Sequence, residues 1–293
     1  MQNQLNSFLT QLLENQANQK GLDWLQKQIE RISSESQPQK FFLAFSQASR
    51  YFPKEKLEVS TAQINQADNL IAGFQPHYWD QLQTARTVLL LSYPQNKEVW
   101  FTTMNQLFET ADMHEHQALF ASLPLMPFQE DLIPRAIDGL RTNISLVFDA
   151  IALNNPFAAK FFPEANWNQM VLKSIFMQRP LYRIQGLEER RNPTLAAIAR
   201  DFAHERWAAG REVMPEIWRL ISPFINEEYL EDLKKVLATK DELQIKAALL
   251  AIITSAYLPA KEILESYPTQ VAALDLEAVE WEKIGTEFQQ TRV

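Results

Sequence analysis

The sequence predicts an all-α protein, an irregular α-solenoid of stacked helix pairs of the HEAT or armadillo kind. Three observations predict it. Apolar residues recur every three to four positions, and no alternating strand pattern of useful length appears. Only six glycines occur in 293 residues, and prolines stand at the starts of segments, as suits helices joined by short turns. Several helical runs also end alike, an apolar stretch running into proline: "TVLLLSYP", "ALFASLPLMP", "LKSIFMQRPL" and "LLAIITSAYLP". That degenerate repetition, at irregular spacing, favours stacked helix pairs over one compact bundle.

Composition removes whole branches of chemistry. With 46% hydrophobic and 22% charged residues the chain has the balance of a folded protein. Its formal charge of -8 argues against a general grip on nucleic acid or an anionic membrane. Cysteine is absent, so there is no disulfide, thiolate nucleophile or cysteine-ligated metal. No two glycines lie close together, which excludes a phosphate-cradling loop or a dinucleotide fingerprint. The start, "MQNQLNSFLTQLL", lacks the form of a secretory signal, and "AALLAIITSAYL" is shorter than the ~20 residues of a membrane span. A cytoplasmic location is therefore expected, with no cofactor implied.

In chain order, Leu5, Phe8, Leu9, Leu12 and Leu13 mark a first amphipathic helix. Leu22, Leu25, Ile29 and Ile32 mark a second, after Gly21. The polar stretches "RISSESQPQK" and "FPKEKLEVS" are too short for independent linkers, so residues 1–293 read as a single helical domain. Further helices are expected at 38–52, 60–73, 76–92, 96–110, 112–122, 130–153, 163–178, 193–209, 214–222, 226–238, 240–257 and 275–288.

Four of these stretches carry the polar residues of interest. In "MHEHQ", His114 and His116 are two apart and point to nearly opposite sides of a helix, so they cannot share a metal and are expected to face solvent. On the 130–153 stretch, Ile137, Leu140, Ile144, Phe148 and Ile151 form an apolar seam that contains Arg141, with Asp138 and Asp149 as its candidate partners. On 163–178 apolar residues occupy almost the whole circumference. Asn168 sits among them, and Lys173 shares a narrow polar strip with Gln169. On 193–209, Leu195, Ile198, Ala199 and Phe202 form the apolar side. Arg206 falls within it, and His204 falls opposite, one turn beyond Asp201.

"HERWA" is not a zinc helix, because the residue four after His204 is Ala208. The projection instead buries Arg206 and gives it a bidentate carboxylate partner, Asp138 or Asp149, while Arg200 is expected on the surface. Arg141, Asn168, Lys173, His204 and Arg206 are thus the candidate ligand or polar-network residues. They read either as an internal network fixing helix register or as the lining of a ligand pocket.

From about residue 112 to 222 the chain resembles the EboA family of metabolite-traffic proteins. The resemblance is carried by "RAIDGLRTNISLVFDAIALNNPFAAKFF", "WNQMVLKSIFM", "LYRIQGLEERRNPTLA" and "DFAHERWAAGREVMPEIWR", in that order. It implies a cytoplasmic helical-repeat protein encoded beside enzymes of small-molecule metabolism, a membrane prenyltransferase-like protein among them. The implied role is to help a secondary-metabolite precursor reach the periplasm, and the resemblance supplies no catalytic residue. Two functions follow as expectations. One is a non-enzymatic adaptor or carrier that holds a small hydrophobic metabolite or a protein of the same gene cluster. The other is a cofactor-independent enzyme acting on a small metabolite in a polar pocket between helices.

Overall fold

The computed structural model describes residues 2–34, 37–274 and 280–291. Among them are 18 α-helices and no strand, with one isolated antiparallel bridge between Lys56 and Asp80. The helices range from Leu258–Lys261 to the 16-residue Gln19–Ser34 and Pro193–Ala208. The chain divides into two compact units, Met1–Phe162 and Pro163–Val293. The division falls at neither of the polar stretches noted in the sequence.

The first unit is built around the Gln81–Leu91 helix, every residue of which is buried. Asp80 caps it, its carboxylate accepting from the Gln83 N–H at 2.6 Å, and the chain before it supplies only a short turn at Pro76–Tyr78. The helices Gln2–Glu14, Gln19–Ser34, Pro38–Gln47 and Met113–Ala121 pack around it. Leu5, Phe8, Leu9, Leu12 and Leu13, the residues that announce the first helix, are all in this core. Each contributes about 1.5–3 kcal/mol of burial. A central helix must also place its polar side chains. Arg86 donates from Nε to the Phe45 carbonyl at 3.1 Å and lies 3.5 Å from Glu115, while the Thr87 and Ser122 hydroxyls meet at 2.7 Å.

Two expectations change in this unit. His114 and His116 are half-buried rather than solvent-facing. The His116 ring stacks on Phe120 with its Nε2 2.9 Å from the Phe108 carbonyl oxygen, so the imidazole packs as a flat core-edge group. The helix expected over 130–153 is interrupted, and the chain forms Ile133–Gly139 and Ser145–Ala152 instead. Gly139, the last residue of the first piece, is closely packed: a Cβ there would stand 2.4 Å from the Phe120 ring and 2.8 Å from Ile151 Cδ1. Beyond it the Thr142 hydroxyl accepts from the Ile144 N–H at 3.1 Å, just before the next helix.

In the second unit the central element is Glu242–Ile253, packed against Glu227–Leu237, Ile217–Ile221 and Glu280–Gln290. Pro193–Ala208 lies between Glu164–Phe176 and Ile217–Ile221. Its start is well specified: Asn192 accepts from the Leu195 N–H at 2.9 Å, and Pro193 takes the first helical position. Asn226 and Asp241 cap the helices at Glu227 and Glu242 in the same way. For the helix expected over 275–288, residues 275–279 lie outside the described residues and the observed helix is Glu280–Gln290.

Candidate functional site

The end of the Pro193–Ala208 helix creates a cleft. Gly210 takes φ +63, a left-handed conformation natural to glycine, and it ends the helix in a double reversal. The Gly210 N–H donates to the Trp207 carbonyl at 2.9 Å and the Arg211 N–H to the Arg206 carbonyl at 2.8 Å. The chain that follows then folds back beside Trp207. A cleft of about 440 Å³ opens there, lined by Trp207, Arg211 and Val213 on one side and by Lys235, Val236 and Gln244 on the other.

Its walls are tied together by the protein itself. Trp218 donates from Nε1 to Gln244 Oε1 at 2.9 Å, and Gln244 donates from Nε2 to the Val213 carbonyl. The Trp207 indole is backed by Trp218, with ring centroids 5.6 Å apart at 29°. A single buried amide thus links the loop after the Pro193–Ala208 helix, the Ile217–Ile221 helix and the central helix. The cleft is pre-formed, as small-molecule sites usually are.

Behind the cleft stands a buried carboxylate. Asp232, only 2% exposed at its side chain, receives Arg200 Nε at 2.6 Å and His204 Nε2 at 2.8 Å on one oxygen and Lys235 Nζ at 2.9 Å on the other. Arg200 also reaches Glu228 at 2.6 Å. Burial raises the Asp232 pKa, but the bonds from Arg200, Lys235 and His204 overcome it and hold the carboxyl below its usual range.

This hub corrects the helix projection at two positions. Arg200, expected on the surface, is 19% exposed and pairs with two carboxylates. Arg206, expected to be the buried partner of Asp138 or Asp149, is half-buried and donates from Nε to the Glu212 carbonyl at 2.8 Å. The reason is position along the helix: Arg206 lies in the last turn, where the reversed chain offers its own backbone. Arg200 lies mid-helix, within reach of Glu227–Leu237. His204 finds Asp232 on that helix, and not Asp201 on its own.

Arg141 is corrected as well. With the helix broken after Gly139, the seam that would bury it does not exist, and its side chain is 81% exposed beside Asp138 at 3.3 Å. Asn168 is buried as its sequence context requires. It exchanges amide hydrogen bonds with Asn192 at 3.1 and 2.9 Å, the same Asn192 that caps the next helix. Lys173 is half-buried, and desolvation lowers its pKa. The five candidates are divided between the two units. Arg141 belongs to the first unit, the other four belong to the second, and Asn168 is satisfied by Asn192.

Residues that the sequence reading missed dominate the second unit. Glu216 is fully buried, its carboxylate accepting from the Leu181 and Tyr182 N–H groups at 3.1 and 2.6 Å. Burial pushes its pKa up to about 8 against the opposing pull of Arg219 and those two N–H groups. Arg219 in turn pairs with Glu188, which also holds Arg191. A signal existed, an acid inside the apolar run "VMPEIWRLI". Asp232 gave a fainter one, an acid beside Leu233 and Val236 on an amphipathic helix. Among the described residues, no three His, Asp or Glu side chains are grouped as a metal ion would need, and no helix is long and apolar enough to cross a membrane.

The family model described as "Metabolite traffic protein EboA" matches residues 5–222, beginning far upstream of the motifs that carry the resemblance. No curated protein and no solved structure matches the chain. The cleft straddles the end of the matched region: Trp207 to Val213 lie inside it, Lys235 to Gln244 beyond it.

Proposed function

The chain belongs to the EboA family, and from that premise we propose that it is a non-enzymatic carrier or adaptor in metabolite traffic. On this reading it is an irregular HEAT-like helical protein of the cytoplasm. It assists the passage of a secondary-metabolite precursor toward the periplasm together with proteins of the same gene cluster, a membrane prenyltransferase among them. The observation that carries the reading is the Trp207 cleft, which is pre-formed, mainly apolar and of small-molecule size. The family's description, metabolite traffic, supports it. Of the candidates for the enzyme alternative, Asn168 is bonded to Asn192, His204 lies against Asp232 and Arg206 bonds the Glu212 carbonyl, so the Trp207 cleft favours the carrier reading.

The test is native mass spectrometry of the protein purified from its own host. A retained small molecule, or a retained protein encoded in the same cluster, is the expected result. Bare protein under gentle conditions, with no stability shift on mixing with cluster proteins or host metabolite extract, would sink the proposal.

A further inference from the structure

The Trp207 cleft also carries information about the chemistry of its occupant. Its apolar surface is aromatic and aliphatic: the Trp207 indole, backed by Trp218, together with Val213 and Val236. A flat unsaturated body fits such a surface, because it stacks on an indole at little conformational cost. The volume, about 440 Å³, lies within the roughly 300–1,000 Å³ range of small-molecule sites.

The polar groups around this surface are mostly engaged already. Gln244 is bonded at both ends of its amide, and the Thr239 hydroxyl donates to the Val236 carbonyl at 2.7 Å. Asp241 accepts from the Leu243 and Gln244 N–H groups at 3.0 and 3.1 Å, so its negative charge is turned toward a helix N-terminus. Lys235 is held by Asp232, and the Glu212 carbonyl accepts from Arg206 Nε at 2.8 Å. Arg211 differs. Its backbone is fixed by the reversal at Gly210, its side chain is exposed at the cleft, and among the described residues its guanidinium makes no hydrogen bond or ion pair. Arg211 therefore brings an unclaimed positive charge to the cleft, on the side chain best suited to a planar anion.

Resting on the carrier reading, we propose that the cleft takes a small planar aromatic anion, its apolar body on Trp207 and its carboxylate or sulfonate-like group on Arg211. Lys235, whose Nζ lies 6.0 Å from the Trp207 ring, adds a second positive charge on the opposite wall.

Two fluorescent probes with one aromatic skeleton test this on the full chain: 1-anilinonaphthalene-8-sulfonate, which is anionic, and N-phenyl-1-naphthylamine, its neutral counterpart. The anionic probe is expected to bind one per chain, about tenfold more tightly than the neutral one. Arg211→Gln should remove that preference and leave the neutral probe unaffected. Trp207→Leu should weaken both, with circular dichroism confirming that the variant folds. Equal affinity for the two probes with no effect of Arg211→Gln overturns the charge assignment. Binding untouched by Trp207→Leu overturns the site. A metabolite retained in native mass spectrometry by both variants as well as the wild type would leave the carrier reading standing and overturn this placement alone.

Discussion

Arg200 Nε lies 2.6 Å from the carboxylate of Asp232, a side chain only 2% exposed on a helix 32 residues further along the chain. Truncating the arginine strands much of a buried negative charge, although Lys235 and His204 remain as partners. Arg200→Ala is therefore expected to cost roughly 1–3 kcal/mol, below the value for a carboxylate left with no partner. Arg206→Ala, which gives up an exposed bond to a backbone carbonyl, should cost under about 1 kcal/mol. Thermal melts of the two variants check the order, and a larger loss for Arg206→Ala would contradict the hub.

Glu216 should make stability depend on pH. Its folded pKa, about 8, stands above the ordinary 4.5 of the unfolded chain. Between those values the folded protein holds a proton that the unfolded chain has released, so stability falls as pH rises through this window. The slope is at most roughly 1.4 kcal/mol per pH unit. Asp232, with its lowered pKa, contributes below the window, where falling pH removes its stabilisation. Urea denaturation from pH 5 to pH 9 measures the slope, and Glu216→Gln should flatten it.

Two glycines are held by close packing. At Gly285 on the Glu280–Gln290 helix, a Cβ would stand 2.3 Å from Tyr182 and 2.8 Å from the Glu216 carboxylate. Gly139 faces Phe120 just as closely. Alanine ordinarily favours a helix by ~1 kcal/mol, yet overpacking should win here, and each Gly→Ala variant should lose about 1–3 kcal/mol. Gly210→Ala, with nothing within 4 Å, should lose only the roughly 1 kcal/mol of left-handed strain. Calorimetric melts that rank Gly210→Ala worst would refute the packing account.

The reciprocal amide pair of Asn168 and Asn192 should behave as one unit. Asn192→Ala removes a helix cap and orphans a buried amide, for a loss of roughly 2–3 kcal/mol. Asn192→Ser should restore the cap but not the pair. A double-mutant cycle with Asn168→Ala is expected to give a coupling of about 0.5–2 kcal/mol, and additive losses would show that the pair contributes nothing as a pair.

The sequence by itself determined the local structure. Apolar spacing marked the helices at Gln2–Glu14 and Glu164–Phe176, and a proline at the segment start suited the beginning of Pro193–Ala208. The same local logic placed Asn168 in the core, since a polar residue surrounded by apolar angles on a nearly all-apolar helix has nowhere else to go. The absence of cysteine and of clustered glycine was equally legible, and so was the family, through motifs whose order is distinctive.

Only the tertiary structure decided which polar residues meet. A helical projection describes one helix as though its faces were uniform from end to end, whereas partners come from other segments and differ turn by turn. Arg200 and Arg206 sit on one helix, yet the first meets a buried aspartate from Glu227–Leu237 and the second only the returning backbone beyond Gly210. Arg141 fails for a related reason, because the helix on which its angle was reckoned ends at Gly139 and resumes only at Ser145. The Trp207 cleft has walls some 30 residues apart in sequence, joined through the Gln244 amide. Local periodicity reflects the preference of each side chain for water or core, while ion pairs and cavities depend on distances that the chain sets only once its helices have packed.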